Sequence, residues 1–347
     1  STLQDQAGDE FVSTSNYNKQ PVLYHTSNIN YNKNFKKISS NLFLGAQYTK
    51  LSKATYSTIY NTYEGAPEKL SQERNKDATT GVLALRADLE KKFSDQLTWE
   101  TGLSASFARA HGFAIIHNYP PINSVNAIYA YHEQGHAAYT QLSGKLKKIG
   151  YSAGVRMESS DVNSIYQSNI ASSAIDKEKE QIFPRAKITV PVDSSASIAI
   201  SYTKSIVRPG YDNADQTSVY INPYFEWAKN INLDPSLTEE IKTTFQYKKY
   251  AMDVVLYQTR GPVYTSFNFD DRSSVLTRTE TNFDIEKGIF VNLTAPFKYK
   301  IWSSANVLTA TLNTARDSAA TTNRSKPFVY FYSANEFSLP CQFVLNV

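Results

Sequence analysis

The residues from Ser197 to Tyr250 decide the fold. They begin with SIAISYTK at 197–204 and, after a long polar and aromatic excursion, end with IKTTFQYK at 241–248. Side chains of an extended strand alternate between its two faces, and in both segments one face is mainly apolar and the other polar. Two long two-faced strands joined by an unusually large loop indicate a β protein of a particular kind.

The composition excludes several classes of protein. The net charge of +4 over 347 residues is spread along the chain, which gives no electrostatic support for binding nucleic acid. Apolar residues never form a run of roughly eighteen, so no transmembrane helix is predicted. A β-barrel crosses a membrane without such a run, because its backbone groups are satisfied between strands. The single cysteine, Cys341, excludes an internal disulfide, and its apolar neighbours predict that it is buried.

Strand length and connection length favour a membrane barrel. The alternating segments 81–92 and 97–110 exceed the ~5–6 residues usual in soluble sheets and suffice for a tilted crossing of ~9–11 residues. Short connections alternate with long polar ones along the chain, as in outer-membrane barrels whose short turns face the periplasm. The short ones are predicted near 31–37, 93–96, 147–150, 191–195, 248–251 and 298–301, and the long ones at 51–80, 111–130, 161–181 and 208–237. The predicted fold is an all-β, transmembrane, antiparallel up-and-down β-barrel of roughly fourteen strands.

Several motifs support a family assignment. One strand pair resembles the pattern AxYxxxxGKxxxxxYxxGxRxE through Glu133, Ala138-Tyr139, the segment Gly144 to Lys148, and Gly154-Val155-Arg156-Met157-Glu158. Further matches are Phe183-Pro184, Ser201-Tyr202-Thr203, Arg208-Pro209-Gly210-Tyr211, Asn222-Pro223-Tyr224, Asn232-Leu233-Asp234-Pro235, Asn282-Phe283, Pro296-Phe297 and Phe337-Ser338-Leu339-Pro340. In order and spacing the chain resembles the outer-membrane β-barrel family of Bacteroidetes TonB-dependent receptors.

The resemblance implies a location and a function. It places the chain in the cell outer membrane, in contact with lipid, as a barrel that takes up a solute through extracellular loops and lumen. That family carries a plug domain that contacts TonB and has further strands beyond the position of Val347. We therefore expect residues 1–347 to be an incomplete barrel domain without the plug or the C-terminal strands. The alternative is a structural or anchoring barrel that binds a surface lipoprotein or another envelope-complex partner without transport.

One motif suggests an enzyme instead. His132-Glu133-Gln134-Gly135-His136 is a formal HExxH, which on a helix places two imidazoles on one face for zinc. The motif lies between alternating segments and has no helical apolar stripe, so the two histidines have no reason to converge. Ordinary structural residues are the favoured interpretation, and we expect no catalytic residues, no metal and no cofactor.

Two groups of residues are candidates for binding a solute. In the large loop, aromatic rings and one guanidinium could stack on or bind a ligand, although such rings also pack loops upon themselves. These are Arg208, Tyr211, Tyr220, Tyr224, Phe225 and Trp227. On the barrel wall, charged residues opposite the apolar faces are predicted to line the lumen, either contacting a solute or forming a hydrated charge ladder. These are Arg86, Asp88, Glu100, Arg156, Glu158 and Lys204.

Overall fold

Alternating strands account for nearly all of the chain. The computed structural model describes residues 3–5, 8–119, 123–318, 323–324 and 326–346. Helical structure in these ranges is limited to the 3-10 turns Lys36–Ile38, Tyr211–Ala214 and Pro340–Gln342. Among the residues that the structure describes, no helix is long and apolar enough to cross a membrane.

The described residues form 23 strands. In chain order they are β1 (Leu3–Asp5), β2 (Gly8–Glu10), β3 (Val12–Lys19), β4 (Val22–Phe35), β5 (Ser40–Tyr63), β6 (Lys69–Ser94), β7 (Leu97–Asn118), β8 (Asn123–Leu146), β9 (Ile149–Ser168), β10 (Ser172–Pro191), β11 (Ala196–Val207), β12 (Val219–Asn222), β13 (Phe225–Trp227), β14 (Ser236–Tyr247), β15 (Tyr250–Arg260), β16 (Val263–Asp270), β17 (Val275–Asn282), β18 (Ile285–Thr294), β19 (Phe297–Tyr299), β20 (Trp302–Arg316), β21 (Asn323–Arg324), β22 (Phe328–Ser338) and β23 (Val344–Asn346).

Most strands belong to one antiparallel barrel. Its order is β10-β11-β14-β15-β18-β19-β20-β21-β22-β23-β3-β4-β5-β6-β7-β8-β9. β3 and β4 both pair with β5, and β18 and β19 both pair with β20, so each couple forms one interrupted strand. β21 and β22 also both pair with β20 and count as one strand, so thirteen strands and the short β23 make up the wall in the described ranges. The predicted antiparallel barrel of roughly fourteen strands is confirmed, as is the pairing of the two segments around the large loop, now β11 and β14.

The six predicted short connections are found, the first of them at 36–39 and not at 31–37. Six hairpins turn within a few residues, and all six turns lie at the same end of the barrel because consecutive strands are antiparallel. Their unpaired residues are 36–39, 95–96, 147–148, 192–195, 248–249 and 300–301. We call this end the short-turn rim and the opposite end the long-loop rim.

Three of the four predicted long loops are wrong. The ranges 51–80, 111–130 and 161–181 are mostly strand, because β5 to β10 run for 20 to 26 residues and are joined only by brief tips. The sequence there is polar on both faces, which suggested loop, but it is rich in the β-branched and aromatic residues that favour strands. Strands β5 to β10 form a tall wall that rises beyond the shorter strands β11, β14, β15 and β18.

The outer face changes character along the tall wall. Near the short-turn rim it presents exposed apolar side chains such as Leu85 and Ile182. Further along the same face, β9 and β10 present Asp161 and Asp176, both exposed. We therefore predict that a hydrocarbon-facing band covers about the first eleven residues from each short turn and that the remaining height of the wall faces water.

The loops that join the shorter strands β11, β14, β15 and β18 fold back over the barrel. The cap loop, residues 208–235, carries β12 and β13, and the cap hairpin, residues 263–282, consists of β16 and β17. Together they form a four-stranded sheet in the order β12-β13-β17-β16, with β13 parallel to β17. We call this unit the cap.

The single cysteine differs from its prediction. Cys341 is exposed and lies in the last 3-10 turn with a φ of 61°. The apolar alternation from Leu339 onward does not form a strand there, because β22 ends at Ser338 and the chain turns.

Candidate functional site

The candidate site is a polar chamber in the lumen beneath the cap loop. Two adjoining cavities of about 550 and 750 Å³ share Arg86, Ser104 and Arg156 on the inner face of the wall. The upper cavity is also lined by Arg208 and Tyr211 of the cap loop. The strands position these side chains because the inner face of each strand is its polar face.

Arg208 fixes the start of the cap loop to the wall. Its Nη2 donates to Glu158 Oε2 of β9 at 2.6 Å, and its Nε lies 3.5 Å from Glu133 Oε1 of β8. Both carboxylates are largely buried, with side-chain exposures of 12% for Glu158 and 9% for Glu133. Glu158 also accepts from Arg156 Nε at 2.5 Å. We call Arg208, Glu133 and Glu158 the latch. Together with the nearby Arg156, two guanidiniums neutralise the two carboxylates, which offsets the cost of removing these charges from water.

An aromatic contact continues the latch. Tyr131 Oη donates to Glu133 Oε2 at 2.8 Å, and the Tyr131 ring packs against the ring of Tyr211 at a centroid distance of 5.4 Å. Burial raises the pKa of Tyr211, and the Glu133 charge adds to that shift while Arg208 opposes it. Both phenols are therefore neutral hydrogen-bonding groups throughout the physiological pH range.

A second anchor holds the middle of the cap loop. Lys76 Nζ of β6 contacts Asp215 Oδ2 at 3.1 Å and donates to Thr217 Oγ1. Burial lowers the pKa of Lys76, and Asp215 opposes that shift by favouring the charged form. Ala214 and Thr217 beside this anchor are buried, so the middle of the loop lies inside the wall.

Small residues on β7 make room for this docking. Its inner face carries Ala108, Ala110, Gly112 and Ala114 at the height of the cap loop. A Cβ on Gly112 would lie 2.3 Å from the Asp77 carbonyl oxygen and 2.7 Å from the ring of Tyr129. A larger side chain here would displace the neighbouring strands or the ring.

The end of the cap loop is clasped from two sides. Asp234 Oδ1 accepts from Lys179 at 2.8 Å and from Lys177 at 3.0 Å, both on the inner face of β10. Burial alone would raise the pKa of Asp234, but these two lysines outweigh it and lower the pKa overall. Asn282 of the cap hairpin donates to the Asp234 carbonyl oxygen at 2.9 Å and accepts from its backbone amide at 2.7 Å. These two hydrogen bonds join the cap loop to the cap hairpin.

The sequence comparison assigns the family. The profile of the outer membrane protein beta-barrel family matches residues 10–347. The chain belongs to this family. No curated protein sequence matches the chain.

Solved receptors share the barrel. The ferric yersiniabactin uptake receptor FyuA from Yersinia pestis is similar with a TM-score of 0.52 and 9% identity, over 95% of this chain and 64% of that one. The ferric-catecholate import receptor Fiu from E. coli K12 has a TM-score of 0.52 and 11% identity, over 88% and 53% of the two chains. At these identities the likeness concerns the fold, and the chain spans between about half and two-thirds of each receptor. This family member is an outer-membrane β-barrel, as predicted.

Five of the six predicted lumen residues lie on the inner face. Arg86 Nε contacts Asp88 Oδ2 at 2.5 Å, and Tyr139 Oη donates to Asp88 Oδ1 at 2.8 Å. Arg156 and Glu158 belong to the latch region described above, and Glu100 accepts from Gln141 at 3.3 Å.

Lys204 is the exception. The register places it opposite Glu239, on the face that carries Ile200 and Ile241. Both of those isoleucines are more than 45% exposed on the outside of the barrel. Because Lys204 has the same parity along β11 as Ile200, we assign its side chain to the outer face, although the residue also borders the 750 Å³ cavity.

The predicted loop residues divide into three places. Arg208 and Tyr211 reach the chamber, as described above. Tyr220 packs against the wall, where its Oη accepts from Asn61 Nδ2 of β5 at 2.6 Å. The others lie in or beside the cap sheet: the Tyr224 carbonyl accepts from the Leu276 amide at 2.8 Å, Phe225 pairs with Leu276, and the half-exposed Trp227 stacks under Arg278 at 4.7 Å.

The HExxH motif does not form a zinc site. It lies within β8, so His132 and His136 point outward while Glu133 points into the lumen. Within the described ranges, no three His, Cys, Asp or Glu side chains are placed to hold a metal ion.

Sequence reasoning missed the wall side of the cap contacts. Glu133 is not among the predicted lumen residues, and Lys76, Lys177 and Lys179 lie in ranges predicted to be loop. Extending the alternation of the neighbouring strands through Glu133 and through the predicted loops would place these four side chains on inner faces. Their partners in the cap loop are distant in the sequence and have no such signal.

Proposed function

We propose that this chain is the barrel of an outer-membrane receptor that takes up a solute through its extracellular loops and lumen. The observation that carries the proposal is the cap loop, which is held over a polar chamber by charged contacts at its start, middle and end. Such a closure separates the chamber from the long-loop side and can open only by breaking those contacts. A barrel that served solely as an anchor has no need of it.

The chemistry of the chamber supports a polar solute. Arg86, Arg156 and Arg208 line it together with the carboxylates of Asp88 and Glu158, so hydrogen-bond donors and acceptors of both charges are available. Tyr211 and Tyr139 add rings that can pack against the flat faces of a bound molecule. Outer-membrane receptors with the same fold, FyuA and Fiu, are named for uptake of ferric chelates, which is consistent with passage through such a barrel.

Energy in this proposal comes from TonB, acting through a plug domain outside residues 1–347. Solute binding beneath the cap and TonB action from the short-turn side are then separate steps. The alternative of an anchoring barrel, bound to a surface lipoprotein or an envelope complex, predicts no solute affinity in the chamber.

A binding screen separates these functions. Purified chain in detergent is titrated with ferric chelates, oligosaccharides and short peptides by calorimetry, alongside Tyr211→Ala and the control Tyr299→Ala, an exposed tyrosine on the short-turn rim. One class should bind, and Tyr211→Ala should weaken it about tenfold, the expected effect of losing a packed ring. A folded chain that binds no member of the three classes, or that binds equally after Tyr211→Ala, contradicts the proposal.

A further inference from the structure

Lysine is concentrated at the short-turn rim. The segments 36–39, 91–96, 145–148, 192–195, 248–249 and 298–301 contain eleven lysines and only two acidic residues, Asp95 and Asp193. The lysines are Lys36, Lys37, Lys91, Lys92, Lys145, Lys147, Lys148, Lys248, Lys249, Lys298 and Lys300. The cap loop shows the opposite balance, with Arg208 and Lys229 against four acidic residues.

These lysines are available for an external partner. All except Lys91 are exposed. Of these eleven lysines, only Lys92 forms an ion pair with a described residue, a 3.9 Å contact with Glu90 between two exposed side chains. Exposed pairs of this length contribute little, so the positive charge of the rim is not neutralised within the chain.

Three of the short turns carry lysine at a position whose backbone conformation favours other residue types. Lys147, Lys248 and Lys300 have φ values of 56°, 50° and 52°. A left-handed conformation favours Gly or Asn, because a Cβ is strained there. Turn geometry alone therefore does not account for lysine at these three positions, whereas a requirement for charge does.

The charges stand beside an aromatic belt. Lys248 lies over the ring of Tyr247 at 5.4 Å, Lys249 over Tyr250 at 5.7 Å and Lys300 over Tyr299 at 5.3 Å. Trp302 stacks on Phe337 at the same end of the barrel. Exposed aromatic rings mark the boundary between hydrocarbon and headgroups, and lysine side chains reach from that depth to the phosphates.

We propose that the short-turn rim binds the headgroups of anionic phospholipids in the surrounding leaflet. Each lysine near a negatively charged membrane surface is attracted to it, and a ring of lysines adds these attractions over the perimeter of the barrel. The rim would thus collect phosphatidylglycerol-like lipids in preference to zwitterionic ones.

Electron paramagnetic resonance of spin-labelled lipids tests the proposal. The chain is reconstituted in phosphatidylcholine with spin-labelled phosphatidylglycerol or spin-labelled phosphatidylcholine, and the relative association constant of the two probes is measured. We expect a preference for phosphatidylglycerol of at least about twofold at low salt. In ~1 M salt, where the screening length is about 3 Å, the preference should fall towards unity.

Matched variants locate the effect. Replacing Lys248, Lys249, Lys298 and Lys300, four of the eleven rim lysines, by Gln should lower the preference measurably, and replacing them by Arg should retain it. The control replaces four exposed lysines away from this rim, Lys19, Lys53, Lys69 and Lys326, by Gln and should leave the preference unchanged. Heat-modifiable gel mobility verifies that each variant is folded. Equal selectivity in the rim and control variants, or no selectivity in the original chain, overturns the proposal and directs attention to an acidic soluble partner.

Discussion

Arg208, the first residue after β11, donates a 2.6 Å hydrogen bond to Glu158, fifty residues earlier on the inner face of β9. The contact joins a loop from the short side of the barrel to the tall wall. Since Arg156 binds the same carboxylate, the cap loop is attached to residues that line the chamber. Any movement of the loop therefore changes the charges exposed to the lumen.

Breaking the latch should loosen the cap without unfolding the barrel. Arg208→Gln removes the bond to Glu158 and leaves the barrel strands paired. A lost charge-assisted hydrogen bond at this partly exposed site costs about 1–2 kcal/mol, which raises the population of open loop roughly 5- to 30-fold. Hydrogen–deuterium exchange of residues 209–216 should accelerate accordingly, while β9 and β11 keep their protection.

The control for this experiment is Arg272→Gln. Arg272 lies in the exposed turn at the tip of the cap hairpin, where its backbone amide donates to Asp270 Oδ1 at 3.0 Å. In Arg272→Gln, hydrogen–deuterium exchange of residues 209–216 should be the same as in the original chain. Equal acceleration in both variants would show that the latch does not hold the loop.

Acidification should release the end of the cap loop. The pKa of Asp234 is lowered on folding, so its contribution is complete above its ordinary value near 4 and is lost as pH falls through the lowered value. We expect the distance distribution between spin labels at Asn232→Cys and Asp176→Cys, in a Cys341→Ser background, to broaden below about pH 4. Adding Asp234→Asn should give the broad distribution at neutral pH as well. If the distribution stays narrow in that variant at neutral pH and below about pH 4, the contacts of Asp234 with Lys177 and Lys179 are not the cause of the broadening.

The tall wall predicts where the membrane ends. Single cysteines at Asp161 and Asp176, in the Cys341→Ser background, should react rapidly with a water-soluble maleimide in vesicles. Cysteines at Leu85 and Ile182, on the apolar band of the same outer face, should be protected by lipid. Protection at all four positions would mean that the hydrocarbon band extends over the height of β9 and β10.

Gly112 should be intolerant of substitution. Gly112→Ala places a Cβ 2.3 Å from a backbone oxygen, which forces the strands apart and costs about 1–3 kcal/mol. Gly150→Ala is the matched control, because its nearest atoms are 3.8 Å away. Thermal loss of heat-modifiable gel mobility should occur at lower temperature in the first variant only. Identical midpoints would mean that the Tyr129 ring and β6 shift without penalty.

Metal analysis should find no bound zinc. With His132 and His136 on one face of β8 and Glu133 on the other, a chelator should leave the stability of the chain unchanged. Stoichiometric zinc that is lost in His132→Ala would contradict the strand geometry.

Local periodicity predicted the wall correctly near the short turns, because one face must meet lipid and the other water. In Ile149–Ser168, for example, the contrast of apolar and polar faces ends near Met157. Beyond that residue the outward-facing side chains are no longer mainly apolar. Beyond that point the strand continues to Ser168, since backbone pairing with β8 and β10 stabilises it without any apolar face. The alternation of apolar and polar residues that indicates a strand thus stops where the apolar band stops, although the strand continues.

The sequence by itself determined the barrel, its turns and most of its inner face, since each depends on residues within one strand or one hairpin. It pointed to the large loop but could not place it. The tertiary structure decided that the loop folds inward, because Arg208, Asp215 and Asp234 find their partners on strands 50 to 139 residues away. Contacts of that kind depend on how the barrel brings distant strands together, and no local pattern records them.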